Sequence, residues 1–433
     1  MKTNALKGMK DILPKEQRLR DYVQNKILEV YKASGFERIS TPILEDSENL
    51  DKSEGGDNLN LIFKVLKRGE KLEAALAANP VNEKSLSDMG LRYDLTLPLT
   101  RFYAANRNEL QFPFKVIQTD RVYRAERPQK GRSREFIQCD IDILGDKSCN
   151  AEVELIDVTA RALLSIIEDK KSNEALFFDN FIININDRRV LRNMLESMGF
   201  APGTLDSVCI TFDKLDKIGI DGIKTELEEK QFPQNAIKEL VDFCSNTAIS
   251  ADGTEFEVDD VVKKCNDKSI GDDLKYIINT VKKISNNDYK VRYCPSLVRG
   301  QGYYTGVVFE ITNPNFGGAI GGGGRYDKLI GKFIGEDIPA VGFSIGFERI
   351  CSLLQDTTFE VPNEKRKLAL LYDEEIEFSK VIKQAEELRK KYSVSILRKA
   401  KKMGPMFGML EKQDYKDFCI NKGDEFILKS LEN

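Results

Sequence analysis

The stretch that most limits what this chain can become runs from Arg121 to Gly145, RVYRAERPQKGRSREFIQCDIDILG. It reads as two β-strands joined by a basic loop. In the second strand Ile137, Cys139, Ile141 and Ile143 fall on one face, and Phe136, Gln138, Asp140 and Asp142 on the other. That is the period-two alternation of a pleated strand. Strands adjacent in sequence and joined by a loop predict a mainly antiparallel sheet. Four arginines (Arg124, Arg127, Arg132 and Arg134) crowd the loop and its entrance, close to the carboxylates. Bulk solvent does not require this arrangement. A site taking a polyphosphate on one side and a cationic group on the other would.

At 433 residues the chain exceeds what one core usually holds, so more than one domain is expected. Its 66 basic and 70 acidic residues nearly cancel, so any nucleic-acid contact must come from local patches. Histidine is absent altogether. The commonest general base and the commonest metal ligand are therefore excluded, and chemistry must run on carboxylates, arginines, bound ions or the substrate's own groups. The eight cysteines are scattered without a CxxC pair, against a zinc ribbon or disulfide scaffold and in favour of a reducing compartment. The N-terminus has no apolar signal core, and no run approaches membrane-spanning length. A cytoplasmic protein with no membrane contact is the expectation.

Residues 1–170 read as the first part of a core, with a helix from Lys15 to Ala33, a strand over Glu37–Leu44 broken by Pro42, and a helix near Leu97–Ala105 before the hairpin. Helical patterns dominate 171–290, taken as a connecting insertion. Sheet character resumes in 291–355, with a helix over Gly346–Leu354. Past a linker containing Pro362, residues 366–433 alternate strand and helix as a small α/β domain. The fold class expected is α+β: a mostly antiparallel sheet flanked by helices, a helical insertion, and the small C-terminal domain.

Five segments could carry chemistry, and each has a bland reading beside it. In the hairpin, planar guanidinium groups at Arg124 and Arg132 could grip a triphosphate, or could simply decorate a solvated tip. In LVRGQGYYTGVVFEI, Arg299 precedes Tyr303 and Tyr304 between glycines, which suits a ligand or a core strand entered through a turn. GGAIGGGGRYDKLIG could cradle phosphate or form a tight packing turn, and it lacks the context of a dinucleotide or Walker fingerprint. PAVGFSIGFERI puts Arg349 near a helix N-terminus, a place that favours anions. LRYDLT puts Asp94 and Thr96 at a strand end, either to meet a substrate ammonium group or to start a turn.

Together, and in this order, these segments resemble the class II aminoacyl-tRNA synthetases, and within them the histidyl-tRNA synthetase family. GMKDILP and SGFERISTPILE are similar to its dimer-forming first motif region, the hairpin to its second motif and GFSIGFERI to its third. LVRGQGYYTG and GGGGRYD are particular to this family and its paralogues. The resemblance implies ATP and Mg2+, histidine and its tRNA as partners, and a homodimer. It implies that Arg124 meets the α-phosphate, Glu126 the adenine amino group and Arg132 the γ-phosphate, with Phe136 and Arg349 sandwiching the ring. Asp94, Thr96 and Gln138 would surround the histidine α-amino group, while Asp142, Tyr303, Tyr304 and Tyr326 would meet the imidazole. Arg299, with Arg124 and Gln138, would serve the chemical step; no metal ligand is identified. Asp94 and Asp142 stand where many bacterial members carry glutamate, Gln301-Gly302 replaces a more usual Leu-Asp, and the C-terminal domain is short for the family. A non-catalytic paralogue that regulates ATP phosphoribosyltransferase is the main alternative. An enzyme charging a non-tRNA acceptor is a weaker one.

Overall fold

The alternating stretch is a strand, Glu135–Leu144, paired antiparallel along its length with Phe114–Tyr123. The structure, a computed structural model, describes residues 1–53, 60–78, 80–128, 132–167, 180–246, 257–298, 303–423 and 425–431. The chain divides into two compact units, Met1–Phe359 and Glu360–Asn433.

In chain order the strands of the first unit are β1 (Glu37–Arg38), β2 (Leu44–Asp46), β3 (Lys64–Leu66), β4 (Ser87–Leu91), β5 (Phe114–Tyr123) and β6 (Glu135–Leu144). They continue with β7 (Ile182–Asp187), β8 (Lys290–Tyr293), β9 (Val307–Thr312), β10 (Ala319–Arg325) and β11 (Ala340–Gly346). Eight of them form one sheet in the order β1-β5-β6-β11-β10-β9-β7-β8, and β2-β4-β3 make a smaller one. Among the described residues, only β1–β5 and β7–β8 pair parallel in the large sheet. The expected α+β class with a mostly antiparallel sheet is what forms.

One face of β6 carries Cys139, Ile141 and Ile143, all fully buried or nearly so. Helices Pro14–Ala33, Asn150–Leu164 and Phe347–Gln355 pack on β6. The first of these buries the stripe Leu19, Val23, Ile27, Leu28 and Tyr31, spaced at helical intervals, and opens with a proline in its first turn, where the missing N–H costs nothing. On the other face lies a second core, in which Phe114, Val116 and Leu144 join Tyr304, Val308, Tyr326 and Leu329. That core supports one end of the site described below.

Three local readings differ from the structure. The stretch over Glu37–Leu44 splits into β1 and β2, which enter different sheets, because Pro42 between them cannot donate to a ladder. Within 171–290, β7 is not helical but lies in the large sheet between β9 and β8. Its buried asparagines disguise it: Asn186 donates to the carbonyls of Pro295 and Leu297 at 3.0 and 2.9 Å. Finally, the glycine run is no turn but strand β10, antiparallel to both β9 and β11. A Cβ on Gly323 would stand 1.9 Å from the carbonyl oxygen of Gly342, so two backbones meet here where side chains have no room.

The second unit holds β12 (Lys367–Tyr372), β13 (Ser393–Arg398), β14 (Asp417–Lys422) and β15 (Glu425–Ser430), ordered β13-β12-β14-β15. Alternation along β12 feeds two cores. Leu368 and Leu370 pack with Val381 and Ala385 of helix Phe378–Arg389, while Ala369 and Leu371 pack with Met406 and Leu410 of helix Met403–Lys412. A strand buried on both faces between two helices is the α/β signature expected for this region.

Candidate active site

A cavity of about 520 Å3 opens on the face of β6 that carries Phe136, Gln138, Asp140 and Asp142. Its floor is set by register. Gln138 lies opposite Gly346, Asp140 opposite Ser344, and Asp142 opposite Gly342 on β11. Glycines 321 to 323 of β10 continue that floor as bare backbone. A Cβ on Gly342 would fall 1.9 Å from Asp142 Oδ1, so a side chain there would displace that carboxyl.

One end of the cavity is acidic and dry. Asp94, Asp140 and Asp142 are all at most 5% exposed. The Tyr326 hydroxyl donates to Asp142 Oδ1 at 2.6 Å. Burial pushes the Asp142 carboxyl up to about 7; the Tyr326 hydrogen bond pulls it down, and the charge of Asp94 adds to the rise. Burial, then the adjacent Asp142, hold Asp140 well above the usual carboxylate range. Burial also raises Asp94, against the backbone N–H of Leu97, which donates to its Oδ1 at 3.1 Å. Asp94 thereby caps the helix Thr96–Asn106, whose first residue, Thr96, also lines the cavity. Tyr303 packs edge-on against Tyr304 and Tyr326, with ring centroids 4.8 and 5.9 Å away. Three neighbouring carboxyls out of water repel one another unless a cation joins them.

The other end is basic and wetter. Arg124 donates from Nε to the Tyr93 carbonyl at 2.9 Å, which fixes its guanidinium plane, and the group lies 5.1 Å from the Phe136 ring centroid. Arg132 reaches Glu126 at 3.3 Å. Arg349 sits in the first turn of the helix Phe347–Gln355 and donates to the Ala319 carbonyl. Beside it Glu348 is held by both guanidinium nitrogens of buried Arg20, at 2.6 and 2.7 Å, and accepts from the Ile137 N–H at 3.2 Å. This ties the third motif to the first helix and to β6.

Twelve of the predicted site residues therefore surround one cavity: Asp94, Thr96, Arg124, Glu126, Arg132, Phe136, Gln138, Asp142, Tyr303, Tyr304, Tyr326 and Arg349. Arg299 lies outside the described residues, as do Gln301 and Gly302. The arginine of GGGGRYD does not cradle phosphate. Arg325 is buried in a two-bond pair with Glu152, both at 2.6 Å, and also reaches Asp327 at 3.2 Å. Nor does Arg134 face a ligand: it donates to the carbonyls of Glu126 and Lys7, each at 3.3 Å, and its N–H meets the Gly8 carbonyl. Sequence reading gave Asp140 no role although its alternation already put it beside Gln138 and Asp142. It gave none to Ser344 or Gly342 either, whose place depends on a pairing two hundred residues away.

The sequence profile of the family described as histidyl-tRNA synthetase matches residues 8–350. The histidine–tRNA ligase of Leifsonia xyli subsp. xyli is 41% identical over 374 residues, spanning 85% of this chain and 83% of that protein. Among solved structures, histidyl-tRNA synthetase from Nostoc sp. PCC 7120 superposes with a TM-score of 0.78 at 27% identity, covering 100% of this chain and 95% of the other. A Bacillus halodurans protein described as an ATP phosphoribosyltransferase regulatory subunit/histidyl-tRNA synthetase has a TM-score of 0.74 at 20% identity, over 98% of this chain and 100% of the other. That likeness speaks for the fold alone.

Proposed function

This chain belongs to the histidyl-tRNA synthetase family, and from that premise we propose that it is a histidine–tRNA ligase whose cavity joins histidine to ATP. The histidine carboxylate attacks the α-phosphorus, the bond to the bridging oxygen breaks, and pyrophosphate leaves with its electron pair. The 3′-terminal adenosine of the tRNA then takes the histidyl group through a ribose hydroxyl, and AMP departs. The observation that carries this reading is one cavity with Asp142 and Tyr326 at one end and Arg124, Phe136 and Arg349 at the other.

In this reading Arg124 meets the α-phosphate and Arg132 the γ-phosphate, Glu126 takes the adenine amino group, and Phe136 and Arg349 bracket the ring. Arg299 neutralises charge on the α-phosphate as the carboxylate arrives. Asp142 accepts the imidazole N–H while Tyr304 and Tyr326 enclose the ring beside Tyr303. Asp94, Thr96 and Gln138 bound the space for the α-amino group. In-line displacement at phosphorus needs mostly position and charge neutralisation, which arginines supply without a histidine base. Mg2+ would come in on the triphosphate and would neutralise charge on its oxygens.

A homodimer and a cytoplasmic setting complete the proposal. All eight cysteines are free, and no described helix is long and apolar enough to cross a membrane. The regulatory reading is not favoured, since relatives that match most of the chain carry the ligase name. Histidine-dependent exchange of pyrophosphate into ATP, followed by charging of tRNA, tests the whole. Absence of exchange overturns it, and exchange without charging points to another acceptor. Arg299→Ala should abolish most exchange while leaving the circular dichroism spectrum unchanged. Exchange near the wild-type rate would remove Arg299 from the chemical step.

A further inference from the structure

We propose that Asp140, acting with Gln138, receives the α-ammonium group of the amino acid. This rests on the ligase reading above, which gives Asp140 no part.

Asp140 stands on the cavity face of β6 between Gln138 and Asp142 and is 5% exposed. Its Oδ1 is buried and accepts no hydrogen bond among the described residues, while Ser344 reaches the carboxyl from across the ladder. Two residues along the same face, Oε1 of Gln138 is likewise buried and unmet. The amide nitrogen of Gln138 is committed to Ser344 Oγ at 3.1 Å, which turns that Oε1 away from Ser344. Same-face neighbours on a strand lie roughly 6–7 Å apart at the backbone, close enough for both side chains to reach one small group. Buried acceptors without donors are rare in folded proteins and point to a missing partner.

The chemistry of that partner follows from the two atoms. A carboxylate oxygen and an amide oxygen call for a positively charged group with several N–H bonds. An ammonium has three donors and a full charge. A divalent ion would need about six or more oxygens, and the unmet acceptors here are two. Arg124 acts on Asp140 only through its charge, and its Nε is taken by the Tyr93 carbonyl. Asp94, to which the family resemblance gives the ammonium, has its Oδ1 taken by the Leu97 N–H, so the carboxyl of Asp140 adds to it rather than replacing it. With the imidazole on Asp142, the next carboxyl along the same face is Asp140, so one substrate spans both.

The experiment compares the wild type with Asp140→Asn in pyrophosphate exchange and in competitive inhibition by two probes. Histidinol carries ammonium and imidazole but no carboxylate; 4-methylimidazole carries the ring alone. The variant should raise KM for histidine and the inhibition constant for histidinol together, by roughly tenfold or more, as loss of a buried charged partner does. KM for ATP and the inhibition constant for 4-methylimidazole should stay within about twofold. If both probes weaken equally, or neither does, the assignment of Asp140 is wrong. Asp140→Ser, a smaller polar replacement that also removes the carboxyl, should shift the same probe ratio in the same direction and decides the matter if Asp140→Asn does not fold. A wild type inactive with histidine overturns the ligase reading itself, whereas an active wild type with an unchanged probe ratio in the variants overturns only this assignment.

Discussion

Arg124, Glu126, Phe136 and Arg349 at one end of the cavity are all part-exposed, whereas Asp94, Asp140, Asp142 and Tyr326 at the other are buried. Water reaches the arginines and keeps them charged at little cost. No such solvent reaches the carboxyls, and their raised pKa values record what ionising there costs. The difference teaches where each kind of recognition belongs. Selectivity among amino acids is sharpest where an ill-fitting substrate leaves a buried polar group unpaired. Affinity for a nucleotide common to many enzymes needs no such dryness.

The contrast can be broken or sharpened by substitution. At the basic end Arg124→Ala should lower kcat for pyrophosphate exchange by about 10²–10³-fold, as loss of a transition-state donor does, with KM for histidine little changed. A drop confined to KM would make Arg124 a binding group only. At the acidic end Asp142→Asn should lower kcat/KM for histidine by roughly 10²-fold. The same change should make the fold more stable at pH 8. The sign follows from linkage: the folded carboxyl titrates near 7 and the unfolded one near its ordinary value of 3.8, so between these pH values the folded state holds more protons. Stability contributed by this group is therefore lost as pH rises from about 4 through 7, and asparagine removes the loss. Thermal unfolding should show Tm up by roughly 2–4 °C, and a fall would refute the buried-charge account.

Gly342→Ala separates packing from charge at the same spot. The new Cβ collides with Asp142 Oδ1, so histidine kcat/KM should fall as for Asp142→Asn while Tm falls instead of rising, by overpacking of about 1–3 kcal/mol. A pH series gives a smaller effect. As pH drops below about 7, Asp142 takes up a proton, and KM for histidine should climb up to roughly tenfold per unit while KM for ATP stays flat. Tyr326, Asp94 and Asp140 face Asp142 and set that midpoint. Smallest of all, Arg132→Ala removes an exposed pair with Glu126 and should change KM for ATP only a few-fold.

Much of the site could be read from residues in advance, and the reason is local. Alternation along β6 is a short-range signal, so Phe136, Gln138 and Asp142 were placed on one face without knowing the partner strands. The helix Pro14–Ala33 announced itself by spacing in the same way. What sequence could not supply was pairing at a distance. Nothing near Gly342 says that it faces Asp142. The run over Gly321–Gly324 reads as a turn because glycine disfavours strands, and only the approach of β11 makes it one. The segment ending in Arg325 leaves a phosphate cradle open as one reading because the carboxylate partner of Arg325, Glu152, lies on a helix far away in the chain. β7 is hidden by asparagines with distant partners: Asn186 donates to the carbonyls of Pro295 and Leu297, and Asn184 to the Thr312 hydroxyl.

The bare strand across the cavity floor has a consequence for redesign. A wall made of backbone offers no side chain to exchange; Gly323 admits not even a methyl group, and one at Gly342 would push Asp142 aside. Anyone wishing to retarget this pocket to a different amino acid must therefore work from the side chains that do line it, at Gln138, Asp140, Asp142, Tyr304 and Tyr326. The space of workable libraries is small, and natural drift toward a new substrate faces the same narrow choice.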